Sequence, residues 1–230
     1  MNWAQKVLQI HENEIHHLLA RLELPLYLTT NFDSFMVEAL KYNLRDKGDP
    51  TAPDHRLPPR REGPRWRQAQ AGSPQYVLSP EPSPDEPVVF HLNGHDGDPE
   101  QQHLILAEDD FLAHLVRISR DQDMIFPSNL LGEIFHEKSF LFLGYHLEDW
   151  EFRVILHGFL DREDTELHVA VQLADDQALD TGKAQKYLED YFGQFSVDIY
   201  WGTPQQFVTE LHTRWQQYLL ETEQDEWDSF

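Results

Sequence analysis

The stretch LPLYLTTNFD, residues 24–33, decides the fold class, because an apolar run ends there in small polar residues. The residues after it, FMVEAL at 35–40, have the composition of a helix. A strand, a short loop and a helix in this order form the basic unit of an open α/β sheet. In such sheets ligands bind beyond the carboxyl ends of the strands. Asn31 and Asp33 follow the predicted strand directly, so both are candidates for ligand contact.

Asn31 and Asp33 also have a purely structural interpretation. Asparagine and aspartate are favoured residues at helix N-termini, where their side chains accept hydrogen bonds from the first backbone N–H groups. Either residue could therefore cap the predicted helix and do nothing else. In the functional interpretation, the amide of Asn31 holds a sugar hydroxyl or a water molecule, with the carboxylate of Asp33 nearby. The stretch by itself leaves both interpretations open.

Strands alternate with helices along most of the chain, which predicts an α/β fold with a mostly parallel sheet and helices on both faces. Apolar runs predict strands at residues 24–30, 88–92, 140–145, 168–173 and 197–201. Helical patterns predict helices at residues 2–22, 32–44, 107–120, 127–138, 149–160 and 184–193. Thr203 and Pro204 predict the N-cap and first residue of a last helix.

Residues 49–87 interrupt this alternation. Ten of the 14 prolines of the chain lie there, together with five arginines. Proline removes a donor from strand pairing and is excluded from helix interiors. We therefore predict one domain over residues 1–220 with a long Pro/Arg-rich loop at 49–87, followed by an acidic tail at 221–230.

The charge of the chain limits its partners. It carries 41 acidic and 18 basic residues, a formal net charge of −23. A field of this sign opposes non-specific binding to nucleic acid, so nucleic acid is not a predicted partner. The arginines of the predicted loop offer one alternative, a local contact to nucleic acid or phosphate, which the global charge disfavours.

Residue usage also excludes several classes of site. The chain has no cysteine, so it has neither disulfides nor thiolate metal sites. The segment HENEIHH at 11–17 lacks the histidine spacing of a zinc-protease helix, and we predict no metal site. No apolar run approaches 18 residues, and the first residues do not resemble a signal peptide. These features predict a cytoplasmic protein without a membrane partner.

The segment HLNGHDGD, residues 91–98, follows the second predicted strand of the chain. Its glycines allow a tight turn or a close approach to a ligand. Because a histidine can act as a general base near neutral pH, His91 and His95 are candidate catalytic residues. Strand alternation would place His91 and Asn93 on one face, with the residue between them on the other. The alternative is a glycine-rich turn with exposed polar groups.

The segment GYHLEDW, residues 144–150, follows a predicted buried strand and leads into a helix. A glycine in this position can bring the backbone next to a nucleotide. A tight turn from strand to helix needs the same glycine, and Asp149 could simply cap the helix. Nucleotide contact and a plain turn both remain open for this segment.

Taken in order, three motifs resemble those of the prokaryotic sirtuin-like domains: TTNFD at 29–33, LNG at 92–94 and LFLGY at 141–145. The resemblance extends from about residue 24 to residue 215, and further stretches fit it: LILAEDDF at 104–111, DWEFR at 149–153 and YWG at 200–202. Members of this family have a Rossmann-like fold that binds NAD, so the resemblance implies that fold and that cofactor.

The resemblance also implies an activity. Many members hydrolyse NAD to nicotinamide and ADP-ribose, and bacterial members are often antiphage effectors triggered by a protein partner. By resemblance, Asn31 would position the ribose and the attacking water, and Asp33 would support the nicotinamide end. We thus predict NAD or ADP-ribose as ligand, a protein partner or homo-oligomer, and these nucleotide-binding residues: Thr30, Asn93, Gly94, Gly144, Tyr145 and Asp149.

Two features depart from the family pattern. The glycine-rich phosphate loop of the family is absent from the sequence, and Asn93 stands where the catalytic histidine precedes the glycine of the second motif. An asparagine cannot act as a general base at neutral pH. One hypothesis is therefore an NAD hydrolase in which His91, His95 or a partner completes the site. The other is a truncated or degenerate module that binds a nucleotide or a protein without catalysis.

Overall fold

A computed structural model of the protein describes residues 14–46, 67–70, 81–95, 105, 107–120, 138–146, 150–160, 166–173 and 181–228. The chain divides into two compact units. The first unit comprises Met1–Ala71, Pro80–Leu104 and Val208–Phe230. The second comprises Gly72–Ser79 and Ile105–Phe207. The predicted extent of a single domain, residues 1–220, stays a prediction.

The first unit is built around a parallel sheet of three strands. Its elements are, in chain order, helix α1 (Ile15–Ala20), strand β1 (Leu26–Thr29), helix α2 (Phe35–Asp46), strand β2 (Arg67–Gln70) and strand β3 (Val88–His91). The strand order is β1-β3-β2, and β3 is parallel to both neighbours. All four residues of β3 are buried, as a central parallel strand requires.

The register of β1 against β3 aligns the carboxyl ends of the two strands. Leu26 lies opposite Val88, and Thr29 lies opposite His91, so both strands end at the same level of the sheet. The loop after β1 and the turn after β3 are therefore neighbours. Helix α2 covers this sheet, and the core between helix and strands is formed by Ala20, Tyr27, Met36, Val37, Ala39, Leu40 and Val89.

The second unit contains its own parallel sheet. Its elements are helix α3 (Glu108–Arg120), strand β4 (Leu141–Leu143), helix α4 (Trp150–Phe159), strand β5 (His168–Gln172), helix α5 (Thr181–Phe192), a 3₁₀ turn (Gly193–Phe195) and strand β6 (Val197–Trp201). The strand order is β4-β5-β6. Helix α6 (Pro204–Asp228) comes last, and its residues from 208 onward belong to the first unit.

Aromatic rings fill the core of the second unit. The ring of Phe152 on α4 packs edge-on against Phe142 of β4 at 5.2 Å between centroids, and it lies 5.8 Å from Phe192 of α5. His168 of β5 is fully buried, and its Nδ1 accepts a hydrogen bond from the Phe140 N–H at 3.1 Å. This bond ties the segment before β4 to the neighbouring strand.

The α/β fold class and its parallel strands are confirmed, and β1, β3, β4, β5 and β6 all lie in the predicted stretches. One expectation is wrong: residues 67–70, placed in the predicted loop, form β2 and pair with β3. The polar sequence RQAQ gives no apolar signal, because β2 lies at the sheet edge. Residues 127–137 of the predicted helix at 127–138 and residues 2–13 of the first predicted helix lie outside the described residues, and Lys138 is not helical.

The N-terminus of α6 is confirmed as predicted. The Gln206 N–H donates to the Thr203 hydroxyl at 3.1 Å, and the Gln206 side chain accepts from the Thr203 N–H at 3.2 Å. This reciprocal pair is a capping box. The helix continues to Asp228, so the acidic residues 221–228 are helical. Within the described part of the chain, no helix has both the length and the apolar character needed to cross a bilayer.

Glu14 caps the N-terminus of α1. Its carboxylate accepts from the His16 N–H at 2.8 Å, and its second oxygen lies 2.7 Å from His16 Nδ1. Partial burial acts to raise the pKa of Glu14, but the hydrogen bonds and charge of His16 outweigh it and hold the pKa below its ordinary value. A lowered folded-state pKa contributes stability above the unfolded pKa, and that stability is lost as the pH falls through the folded value.

We expect Glu14→Gln to lower the free energy of unfolding at neutral pH by about 0.5 kcal/mol, because the amide keeps an acceptor for His16 and loses only the charge. The difference from the unmodified protein should shrink to zero in acid, as the carboxyl becomes protonated. Urea unfolding at a series of pH values measures this. Glu81→Gln, which changes an exposed carboxylate, is the control and should show no such dependence. An effect of Glu14→Gln that persists in acid would contradict the assignment.

Candidate functional site

The carboxyl ends of β1 and β3 form the candidate site. Pairing extends one step beyond the strands, since the Leu92 N–H donates to the Thr29 carbonyl at 2.8 Å. Beyond Leu92, side chains and not backbone groups make the hydrogen bonds between the two segments. His91 Nδ1 lies 3.0 Å from the Asn31 carbonyl oxygen, and Asn93 Nδ2 donates to the Thr30 carbonyl at 3.2 Å. The second motif therefore holds the first by two side-chain bonds.

The hydrogen bond of His91 fixes where its proton lies. A carbonyl oxygen can only accept, so Nδ1 must be the protonated nitrogen, and Nε2 of the neutral ring is the basic one. His91 is only 1% exposed. The buried ring thus links the end of β3 to the loop after β1 by a hydrogen bond.

Asn31 has a fixed backbone and a side chain at the surface. Its N–H donates to the Thr29 hydroxyl at 3.1 Å, while its carbonyl accepts from His91. The residue itself is exposed, and so is the ring of Phe32 beside it. A fixed backbone under an exposed amide is the arrangement that a ligand-contacting asparagine requires, since the amide can both donate and accept.

Asp33 takes part in starting α2. Its Oδ1 accepts from the Phe35 N–H at 3.0 Å. The first helical bond runs from the Glu38 N–H to the Ser34 carbonyl, so Ser34 is the N-cap and Asp33 precedes it. The hydrogen bond from the Phe35 N–H thus supports the structural interpretation, in which Asp33 stabilises the helix start. Asp33 remains half-exposed beside Asn31, so the same carboxylate is also open to a ligand.

His95 is brought against His91 by the turn between them. Gly94 is buried and has a φ of +78°, a conformation that suits glycine and few other residues. The turn places the two imidazole rings 5.2 Å apart between centroids. His95 is half-buried, in contrast to the enclosed ring of His91. Of the two histidines, His95 is therefore the more accessible to a ligand.

The third predicted motif lies in the second unit. Gly144, which follows β4, is exposed and has a φ of +76°. A Cβ added there would meet no atom within 4 Å, so the backbone conformation and not the space demands glycine. The Tyr145 ring packs 5.2 Å from that of Phe152, which is a core contact. Asp149 lies outside the described residues.

Seven of the predicted site residues thus belong to one constellation at the end of β1 and β3: Thr30, Asn31, Asp33, His91, Asn93, Gly94 and His95. Two residues that the sequence interpretation left out also shape it. The Thr29 hydroxyl holds the Asn31 N–H, and a threonine two residues before the bonded N–H is a known turn signal. Ser34 caps α2. Among the described residues no cluster of histidine and carboxylate side chains suits a metal ion.

The sequence of this chain matches a known protein family. A family model described as the SIR2-like domain matches residues 25–195. The chain belongs to the SIR2-like family. A search of curated proteins found no match. The matched range contains all three motifs, and it confirms at the level of the family the resemblance that those motifs suggested.

The donor set of this SIR2-like site fits the nicotinamide riboside half of NAD. A ribose hydroxyl can both donate and accept hydrogen bonds, and the Asn31 amide can serve as either partner. A pyridinium ring is cationic and aromatic, and the site offers the Asp33 carboxylate and the exposed Phe32 ring. Gly94 adds a glycine turn beside these side chains.

We expect Asp33→Ala to lower the free energy of unfolding by about 1 kcal/mol, because the Phe35 N–H loses its acceptor. Asp33→Asn should cost less, since the amide oxygen can still accept that bond. Urea unfolding of both variants measures the difference, with Asp198→Ala, an exposed carboxylate on β6, as the control. Equal stability of Asp33→Ala and the unmodified protein would show that the carboxylate does not support the helix.

Proposed function

We propose that this SIR2-like protein binds NAD at the carboxyl ends of β1 and β3 and hydrolyses it to nicotinamide and ADP-ribose. The observation that carries the proposal is the exposed Asn31, whose backbone is held by Thr29 and His91 in a chain of the SIR2-like family. NAD is here a substrate. Nucleotide contact by Gly144, Tyr145 and Asp149 is a separate proposal, which rests on the family resemblance.

The reaction needs little acid catalysis. The bond between C1′ of the ribose and the pyridinium nitrogen breaks, its electron pair goes to the ring, and nicotinamide leaves as a neutral molecule. Positive charge then develops on the ribose as an oxocarbenium ion. The carboxylate of Asp33 stabilises this charge when it lies near the ribose, and a fixed dipole such as the Asn31 amide does so without reorganising.

A base must take a proton from the water that adds to C1′. Asn93 cannot do this, and its amide is engaged with the Thr30 carbonyl. His95 is the candidate base, because it is accessible and lies against His91. His91 acts as a positioning residue, since it is enclosed and its Nδ1–H holds the Asn31 carbonyl. The proton of the water goes to His95 and then to solvent.

A second candidate function is a non-catalytic module that binds a nucleotide or a protein partner. One observation favours it: the Asn93 amide, at the place of the family's catalytic histidine, has a structural bond to Thr30. The site would then hold NAD or ADP-ribose without turnover. In either case we propose a cytoplasmic protein that acts in antiphage defence with a protein partner or as a homo-oligomer, as the family resemblance suggests.

Nicotinamide release from NAD tests the hydrolase proposal. We expect release by the unmodified protein and a loss of about 100-fold in Asn31→Ala, because a fixed polar group at the developing charge is removed. Gln194→Ala, which truncates an exposed amide in the second unit, should keep full activity. Calorimetry with NAD and ADP-ribose runs in parallel. Binding without release supports the module, and release that Asn31→Ala leaves unchanged places the site elsewhere.

The substitution Asn93→His separates the two functions. It puts an imidazole beside the turn that carries His95, and a positioned base contributes roughly 100-fold to a reaction of this kind. If the protein is a hydrolase that uses His95, His95→Ala alone should lose most of the activity of the unmodified protein, and adding Asn93→His should restore part of it. If the protein is a binding module, turnover should appear only with Asn93→His. The readout is again free nicotinamide, and His146→Ala, an exposed histidine in the second unit, is the control.

A further inference from the structure

Helix α6 carries an apolar stripe that begins in the protein interior and ends in solvent. Val208, Leu211, Trp215, Tyr218 and Leu219 recur at spacings of three and four, so they share one face of the helix. Val208 is fully buried, whereas Trp215 is 37%, Tyr218 57% and Leu219 44% exposed. We call the exposed part, Trp215, Tyr218 and Leu219, the α6 stripe.

The α6 stripe has the composition of a binding surface. The rings of Trp215 and Tyr218 stack at 5.7 Å between centroids, with 23° between their planes. Tryptophan and tyrosine are the residues most enriched where binding energy concentrates in interfaces. Single exposed apolar residues are common, but a contiguous aromatic group marks an interaction site.

The charges around the α6 stripe select the chemistry of its partner. From residue 215 to residue 228 the helix has no basic residue, and its acidic residues are Glu221, Glu223, Asp225, Glu226 and Asp228. A second copy of the chain would carry the same acidic segment and the same net charge of −23, so the two copies would repel each other. An anionic lipid surface would be repelled in the same way. A partner with an apolar ridge and a basic rim complements both properties.

We propose that the α6 stripe docks a basic amphipathic helix of a partner protein. Apolar side chains of that helix pack on Trp215, Tyr218 and Leu219, while its lysines and arginines complement the negative charge of the segment 221–228. The apolar contact supplies affinity, and the charges supply orientation and a fast association. The α6 stripe shares no residue with the proposed NAD site, and the inference stands whether or not NAD is hydrolysed.

Three labelled synthetic helices test the proposal by fluorescence anisotropy with the full chain. The first has leucines on one face and lysines elsewhere, the second has the same leucines with glutamates, and the third keeps the lysines but has serines in place of the leucines. We expect the first to bind at least about tenfold more tightly than either of the others. Equal binding of the lysine–serine helix would show a purely electrostatic contact and overturn the proposal.

Substitutions in α6 locate the contact. Trp215→Ala and Tyr218→Ala should each weaken binding of the leucine–lysine helix by about fivefold or more. Leu220→Ala is the matched control, because Leu220 is 61% exposed but lies on another side of the helix, and its effect should stay within about twofold. Circular dichroism confirms that each variant is folded.

Two outcomes overturn the proposal. One is an effect of Leu220→Ala equal to that of Trp215→Ala, since the apolar contact would then not be confined to the α6 stripe. The other comes from sedimentation of the full chain without peptide: self-association that Trp215→Ala abolishes would assign the surface to a second copy. A chain that stays monomeric while Trp215→Ala loses the leucine–lysine helix supports docking of a basic helix.

Discussion

The in-register parallel pairing of β1 with β3 is the constraint on which the candidate site depends. Because Thr29 lies opposite His91, the loop after one strand runs beside the turn after the other. A slip of one residue would exchange the two faces of a strand. It would take His91 away from the Asn31 carbonyl and Asn93 away from the Thr30 carbonyl. The hydrogen bonds of the site therefore depend on the register of the two strands as well as on the side chains that make them.

Support and chemistry are divided among neighbouring residues. His91 is buried and holds the backbone of Asn31, and Asn93 does the same for Thr30, while the Asn31 side chain and His95 stay accessible. This division explains how an asparagine can stand in the second motif. A donor to the Thr30 carbonyl is what the local structure needs at that point, and an amide supplies it without a titrating proton. In the proposed reaction, His95 is the base.

Sequence alone could predict the buried parts of this fold. β3 is apolar because both faces of a central parallel strand are covered, and the Thr203–Gln206 capping box is a local signal. The sequence of β2 carries no apolar signal, because this polar strand lies at a sheet edge and pairs through its backbone. The sequence allowed the residues of the candidate site to be predicted, but not the hydrogen bonds between them. The bond of His91 to Asn31 joins positions 60 residues apart, and the role of Asp33 in starting α2 depends on where that helix begins.

The charge at the start of α2 determines which half of NAD fits the proposed binding site. A helix N-terminus carries partial positive charge and attracts anions, which is why such ends often bind phosphate. Here Asp33 already accepts from the Phe35 N–H and brings its own negative charge. A phosphate would be repelled by that carboxylate, in a chain whose net charge is −23. A cationic pyridinium is attracted by the same charge, and so is the oxocarbenium ion that forms when the bond breaks. In the proposed complex with NAD, the end of β1 therefore suits the nicotinamide ribose, and the Asp33 carboxylate would repel the pyrophosphate.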